Sequence, residues 1–278
     1  MIVTFSINQL FKRLVYTATD FIKFTKIHRG SYPQLQDESI AWDAFYGSYV
    51  KTYLERDVRQ LSAVQDLNDF RKFMVAVAAR TGQMLNLTNI ADEISKSLPT
   101  VSRWISILES SGIIYLLEPY TNSVLKRATK TPKLYFRDTG LAAYLTRWLT
   151  PETLANGAMS GAFFETFVIS EILKSFANCG IDYRYCVSYY RGRDKVKVHK
   201  DGTMYEKESE IDLIIEQDGI LYPIEIKKGV NISADQTAAF TVLDKIPEKK
   251  RGMGAVVCQC PQPGLLRENI LQVPLWYI

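Results

Sequence analysis

The run from Glu210 to Lys227 constrains this chain more than any other stretch. Two alternating segments, 211–216 and 221–227, flank Asp218-Gly219. Asp-Gly is a favoured two-residue hairpin loop because both positions tolerate positive φ. With that dipeptide as the loop, Asp212 falls opposite Glu225 and Glu210 opposite Lys227. Side chains alternate with period two, so the spacing predicts these four on one face and Ile211, Leu213, Ile224 and Ile226 on the other. Pro223 cannot donate to a ladder and points to a shifted register or an edge.

Two carboxylates directly opposite one another repel. A divalent cation between Asp212 and Glu225 turns that penalty into a binding site, and hard oxygen ligands select Mg²⁺ or Mn²⁺. Such an ion polarises a phosphodiester and acidifies its bound water. Lys227, on the same predicted face, is placed to orient or deprotonate the water or to balance transition-state charge. Glu165, on a preceding amphipathic helix, is a further candidate ligand or base. The other reading of the same residues is a solvated hairpin face with Glu210 and Lys227 as a cross-strand pair.

Upstream, residues 41–80 read as helices, with Trp42, Phe45, Tyr46, Tyr49, Tyr53 and Leu54 forming one apolar face. Next come a short helix over 89–94 capped by Thr88, a turn at 95–99 and a helix from Thr100 to Ser110. Gly112 closes that helix in a left-handed conformation. Two β-like runs, 113–117 and 133–136, complete the order of a winged helix-turn-helix. Thr100, Ser102 and Arg103 are then the outward residues of the second helix. Lys126, Arg127, Lys130 and Lys133 form a basic flap suited to phosphates. Packing against protein is the alternative use of the same unit. Turn signals near 150–157 set a boundary, which gives a helical region 1–80, a winged helix 81–150 and an α/β (α+β) domain 151–278. In the last of these we expect a helix over 161–176, strands over 183–190, 211–216, 221–227 and 254–258, and a helix over 234–243.

Composition excludes several classes. With 47% hydrophobic and 23% charged residues the chain can bury a core. Four cysteines are too few and scattered for a disulfide framework, and Cys258-Gln-Cys260 lies in an apolar run that reads as core. This points to a reducing cytoplasm. With two histidines, no histidine-based metal site or triad is expected. No apolar run reaches membrane-helix length, so no membrane partner is expected. No phosphate-cradling G-x-x-x-x-G-K-[ST] loop occurs, so no ATP site is expected.

The chain resembles the C-terminal region of bacterial and archaeal AAA-type P-loop ATPases, in which an ATPase module is followed by a winged helix and a domain of unknown function similar to the PD-(D/E)xK nuclease fold. The resemblance rests on Gly30-Ser-Tyr-Pro33, Tyr53-Leu-Glu-Arg-Asp-Val-Arg59, the run from Thr100 to Glu109, Pro132-Lys-Leu-Tyr-Phe-Arg-Asp-Thr-Gly-Leu141, Gly161-Ala-Phe-Phe-Glu-Thr-Phe-Val168, and Glu210-Ile-Asp212 with Pro223-Ile-Glu-Ile-Lys227. It implies a restriction-endonuclease-like domain with the nuclease motif on Glu165, Asp212, Glu225 and Lys227. DNA is the implied partner, with a protein partner as the alternative. This sequence departs from the pattern in lacking the ATPase module, so the residues ahead of Gly30 read as the tail of a truncated gene or a distinct ancestor. It also carries a basic ribbon, Arg191-Gly-Arg193-Asp-Lys-Val-Lys-Val-His-Lys200, suited to lie along a nucleic-acid backbone.

Overall fold

The computed structural model describes residues 24–58, 67–121, 130–198 and 204–278. These fall into two compact units. One comprises the described residues within Ile22–Leu116 and Thr131–Ser170, the other those within Leu117–Lys130 and Glu171–Ile278. The fold is mixed, a mainly helical part preceding a sheet.

The first unit opens with α1 (Phe24–Arg29), α2 (Trp42–Thr52), a π-helical turn over Tyr53–Val58 and α3 (Leu67–Ala78). Tyr46 and Tyr53 are buried, and Trp42 and Tyr144 pack against Tyr46 with ring centroids 5.6 and 6.0 Å away. The aromatic stripe is therefore core. Then follow β1 (Gln83–Met84), α4 (Leu87–Glu93), α5 (Leu98–Ser110), β2 (Ile114–Leu117) and β3 (Lys133–Phe136), with strand order β1-β3-β2. Both helices begin earlier than the sequence suggests. Asn86, not Thr88, caps α4 by accepting from Asn89 N–H. Ser97 caps α5 by accepting from Thr100 N–H, which puts Pro99 inside the first turn, where its missing N–H costs nothing. Gly112 ends this stretch at φ +73° as expected.

Two quoted segments meet in a polar knot. Asp138 caps α6 (Thr139–Leu145) by accepting from Leu141 N–H at 2.7 Å, and it also accepts from Tyr46 Oη at 2.6 Å and Ser31 N–H at 2.6 Å. A Cβ on Gly30, at φ +84°, would strike Tyr46 Oη and the Asp138 carboxylate. Only glycine fits there. After α7 (Pro151–Asn156) comes α8 (Ser160–Asn178), longer than the expected 161–176, with Phe163, Phe164, Phe167, Val168, Ile172 and Leu173 all buried.

The second unit carries β4 (Val187–Val198), β5 (Met204–Gln217), β6 (Ile220–Lys227), β7 (Lys250–Arg251), β8 (Gly254–Cys258), β9 (Gly264–Arg267) and β10 (Ile270–Pro274). Their order is β4-β5-β6-β8-β10-β9, with β7 also on β6. The sheet is mixed, since β6 is antiparallel to β5 and parallel to β8. Residues 183–185 form a 3₁₀ turn ahead of β4 instead of strand, and Ala234–Lys245 is 3₁₀ rather than α. Cys258 and Cys260 are buried, as the apolar run implied. Pro223 sits in an interior strand without penalty. On the side away from β5, β6 pairs with β7 only at Ile220 and Leu221 and with β8 only from Ile224, so Pro223 falls in the gap between two ladders.

Candidate active site

The turn forms as its chemistry dictates, with Asp218 at φ 53° and Gly219 at φ 76°. From it the β5–β6 ladder runs Gln217 opposite Ile220 through Leu213 opposite Ile224, the register expected from the sequence. Beyond Leu213 the ladder gives way to a side chain. Ile226 N–H donates to Asp212 Oδ2 at 2.8 Å.

The cause lies on the other edge of β5. Ser188 pairs with Ile214 and Tyr190 with Ile211, so Asp212 and Leu213 together oppose the single residue Tyr189. This β-bulge shifts the alternation and re-aims the side chain at its centre. Ile211 and Ile214, which strict alternation would place on opposite faces, pack in one cluster with Leu221, Val256, Phe240 and Leu243. The bulge overturns one expectation. Glu210 is moved to the face opposite Ile211, in register with Arg191 on β4 and beyond the end of the β5–β6 ladder that would have set it opposite Lys227. The supposedly polar face is also largely covered: Ile214, Leu221, Asp212 and Glu225 are buried, while Lys227 is half-buried.

Three of the four candidate catalytic residues meet. Asp212 and Glu225 are each 7% exposed. Lys227 Nζ lies 2.5 Å from Glu225 Oε1 and 3.8 Å from Asp212 Oδ2. Two carboxylates and one ammonium leave one formal negative charge in a confined space, where burying charge is costly unless it is paired. Val256 and Cys258 of β8 stand in register with Glu225 and Lys227 and fix that strand from its other side. The fourth residue, Glu165, belongs to the first unit and is held within it. It accepts from Tyr135 Oη at 2.6 Å and from Lys133 Nζ at 3.2 Å.

The donor set of Asp212 and Glu225 suits a hard cation, because Mg²⁺ commonly takes one or two protein carboxylates and keeps several waters. Among the described residues no group of three or more His, Cys, Asp or Glu side chains is placed to hold a metal. Any ion here would therefore rest on these two carboxylates with water.

The predicted DNA-contact residues divide. Ser102 and Arg103 are exposed on α5, while Thr100 is half-buried with its hydroxyl 2.8 Å from Ser97 Oγ. Lys130 is exposed. Lys133 is not part of an open flap. It is 4% exposed with its ammonium on Glu165, because β3 carries it into the packed interior. Lys126 and Arg127 lie outside the described residues. Arg191 bonds Glu208 at 2.9 Å, and Arg193 stands in register opposite Glu208. Sequence reading missed Tyr135 as the partner of Glu165, and it missed the bulge. Neither leaves a local signal, since one needs a 30-residue separation to close and the other depends on how β4 pairs.

Residues 24–152 match the family described as Domain of unknown function (DUF8612), and residues 160–278 match Domain of unknown function (DUF4143), which is typically found with AAA ATPases. The chain is similar to Uncharacterized protein Rv2008c of Mycobacterium tuberculosis and Uncharacterized protein Mb2031c of Mycobacterium bovis. Each is 25% identical over 208 residues, covering 75% of this chain and 42% of the relative. The chain thus spans less than half the length of the curated relatives it matches. No solved structure matches it. Among the described residues no helix is long and apolar enough to cross a membrane.

Proposed function

We propose that this chain is a cytoplasmic DNA-binding protein whose second unit is a restriction-endonuclease-like domain for Mg²⁺- or Mn²⁺-dependent phosphodiester hydrolysis. The observation that carries this reading is the buried pair Asp212 and Glu225, with Lys227 on both carboxylates, beside a bulge that re-aims Asp212. A bound cation would supply Lewis acidity and an activated water. Around it, Asp212 and Glu225 hold negative charge in place, and Lys227 offers a proton donor and a positive charge toward an incoming phosphate. The helix–strand–helix–helix–strand–strand order of α3 to β3, with strand order β1-β3-β2, supports a winged helix whose α5 presents Ser102 and Arg103.

Incubating the pure protein with single- and double-stranded DNA in Mg²⁺ or Mn²⁺ tests the reaction. Wild type should cleave, and Asp212→Ala should lose about 100-fold or more, since several kcal/mol of transition-state stabilisation depend on the metal. No cleavage by wild type, or equal cleavage by the variant, refutes it.

A second reading is favoured by one observation. Lys227 already offsets the carboxylates, as in a relic site that has become an internal ion pair. The chain is then a non-catalytic adaptor that holds DNA or protein for a separate ATPase. A salt-dependent gel shift without cleavage supports this version.

A further inference from the structure

Lys227 is the last residue of β6, so its place over Glu225 and Asp212 depends on how that strand ends. A lysine is a compact charge on a flexible four-carbon stem, and its ammonium is only as fixed as the backbone that carries it. On one side of β6 the β5 ladder has already stopped at Ile224, and beyond it Ile226 N–H reaches the Asp212 side chain. On the other side the β8 ladder runs from Ile224 opposite Ala255 to Lys227 opposite Cys258 and stops there. Both chains then bend, one at Lys228 and the other at Gln259.

Gln259 joins the two bends. Its N–H donates to the Gly229 carbonyl at 3.2 Å, and its Nε2 donates to the Lys228 carbonyl at 2.8 Å. Successive carbonyls of an extended strand point to opposite sides, so one residue that grips both holds the chain in a turn. That turn closes β6 directly after Lys227. Cys258 and Cys260, on either side of Gln259, are buried and carry the packing of this stretch, while Gln259 itself is half-buried. Its side chain serves the Lys228 carbonyl rather than the core.

The two halves of this grip respond differently to substitution. The backbone bond to Gly229 survives any side chain, whereas the bond to Lys228 needs a donor of this length, since a carbonyl only accepts. Glutamate has the same shape, but once ionised it offers acceptor oxygens alone. Loss of the amide donor therefore loosens the backbone one residue away from Lys227 and leaves the neighbouring strand intact.

We infer that Gln259 is a positioning residue of the Asp212, Glu225 and Lys227 site: by clamping Lys228 and Gly229 it fixes the end of β6, and with it the direction from which Lys227 meets the two carboxylates. It acts through the Lys228 backbone and not on the reacting groups themselves. The inference rests on the reading of that trio as the reacting site and adds to it the residue that holds its lysine in place.

Two variants of the full chain test it. Gln259→Ala removes the amide, and Gln259→Glu keeps its shape without the donor, so the two should behave alike. Amide hydrogen exchange should speed up about 5-fold or more at 226–229 and stay as in wild type at 211–215 and 254–257, since one lost hydrogen bond opens the chain locally. In the Mg²⁺ cleavage assay kcat should fall about 10-fold with KM unchanged, the pattern of a misplaced group that acts only in the transition state. Unchanged exchange at Ile226 in both variants overturns the assignment whatever the activity, and so does a Gln259→Glu protein that matches wild type. Faster exchange across 211–215 and 254–257 as well, or a raised KM at constant kcat, also overturns it, since the residue then supports the whole sheet or binds substrate. Faster exchange confined to 226–229 in a protein whose wild type does not cleave refutes the nuclease and leaves the clamp standing, so the two failures are distinguishable.

Discussion

His28 shows how a single residue sets a pH response. It is 6% exposed, stacked on Trp42 at 4.3 Å, with Nε2 donating to the Trp148 carbonyl at 2.8 Å. Burial lowers its pKa from 6.5, against the smaller opposing pull of that hydrogen bond and of Glu152. The unfolded chain therefore takes up this proton at a higher pH than the folded one. Its contribution to stability is complete above about pH 6.5 and is lost as pH falls toward the depressed folded value. Thermal melts from pH 8 to 5 should show a midpoint that is flat and then declines. His28→Gln should reduce the decline, and an unchanged profile would remove His28 as its source. The sequence offered only that histidines are scarce. The burial that makes this one sensitive comes from Trp42 and Trp148, which lie 14 and 120 residues away.

Elements in this chain are shaped by caps and bulges as much as by periodicity. The start of α5 is decided by Ser97 Oγ, which satisfies an N–H that would otherwise be orphaned, so the helix begins ahead of the first residue of the apolar pattern. Ser97→Ala should cost about 1 kcal/mol, read as a shift in denaturant midpoint at constant slope. A change below about 0.3 kcal/mol would mean that Pro99 and the packing of Val101, Trp104 and Leu108 suffice to start it. In the second unit the hairpin was legible down to its register, because Asp-Gly fixes the loop and alternation fixes the pairing. The face of Glu210 was not legible. A bulge is a decision between two strands, and β4 pairs with β5 at positions no local pattern marks.

The whole molecule is interleaved. Residues 117–121 precede the second unit's first strand by more than 60 positions yet belong to it. Tyr189 N–H donates to the Glu118 carbonyl, Tyr120 N–H to the Tyr189 carbonyl, and Tyr120 is 6% exposed in the cluster of Ile211, Phe240 and Val256. Tyr120→Ala should destabilise that unit by about 3 kcal/mol. Hydrogen exchange should speed up at 211–215 and 254–258 while 70–78 and 101–108 keep their protection. Uniform loss across both units would instead mean that they unfold together.

The sequence by itself determined the mixed class, the Asp-Gly hairpin and the grouping of Asp212, Glu225 and Lys227. The hairpin and the grouping follow from local alternation and turn chemistry over fewer than 20 residues, the mixed class from helical and strand periodicity along the chain. Only the tertiary structure decided that Glu165 answers to Tyr135 and Lys133, that Lys133 is interior, and that Glu210 leaves the face of Asp212. Each depends on a partner distant in sequence, the first two on the contact of α8 with β3 and the third on how β4 pairs with β5. A side chain's face depends on the partner strand as well as its own, and a single extra residue in a ladder inverts the assignment of everything beyond it.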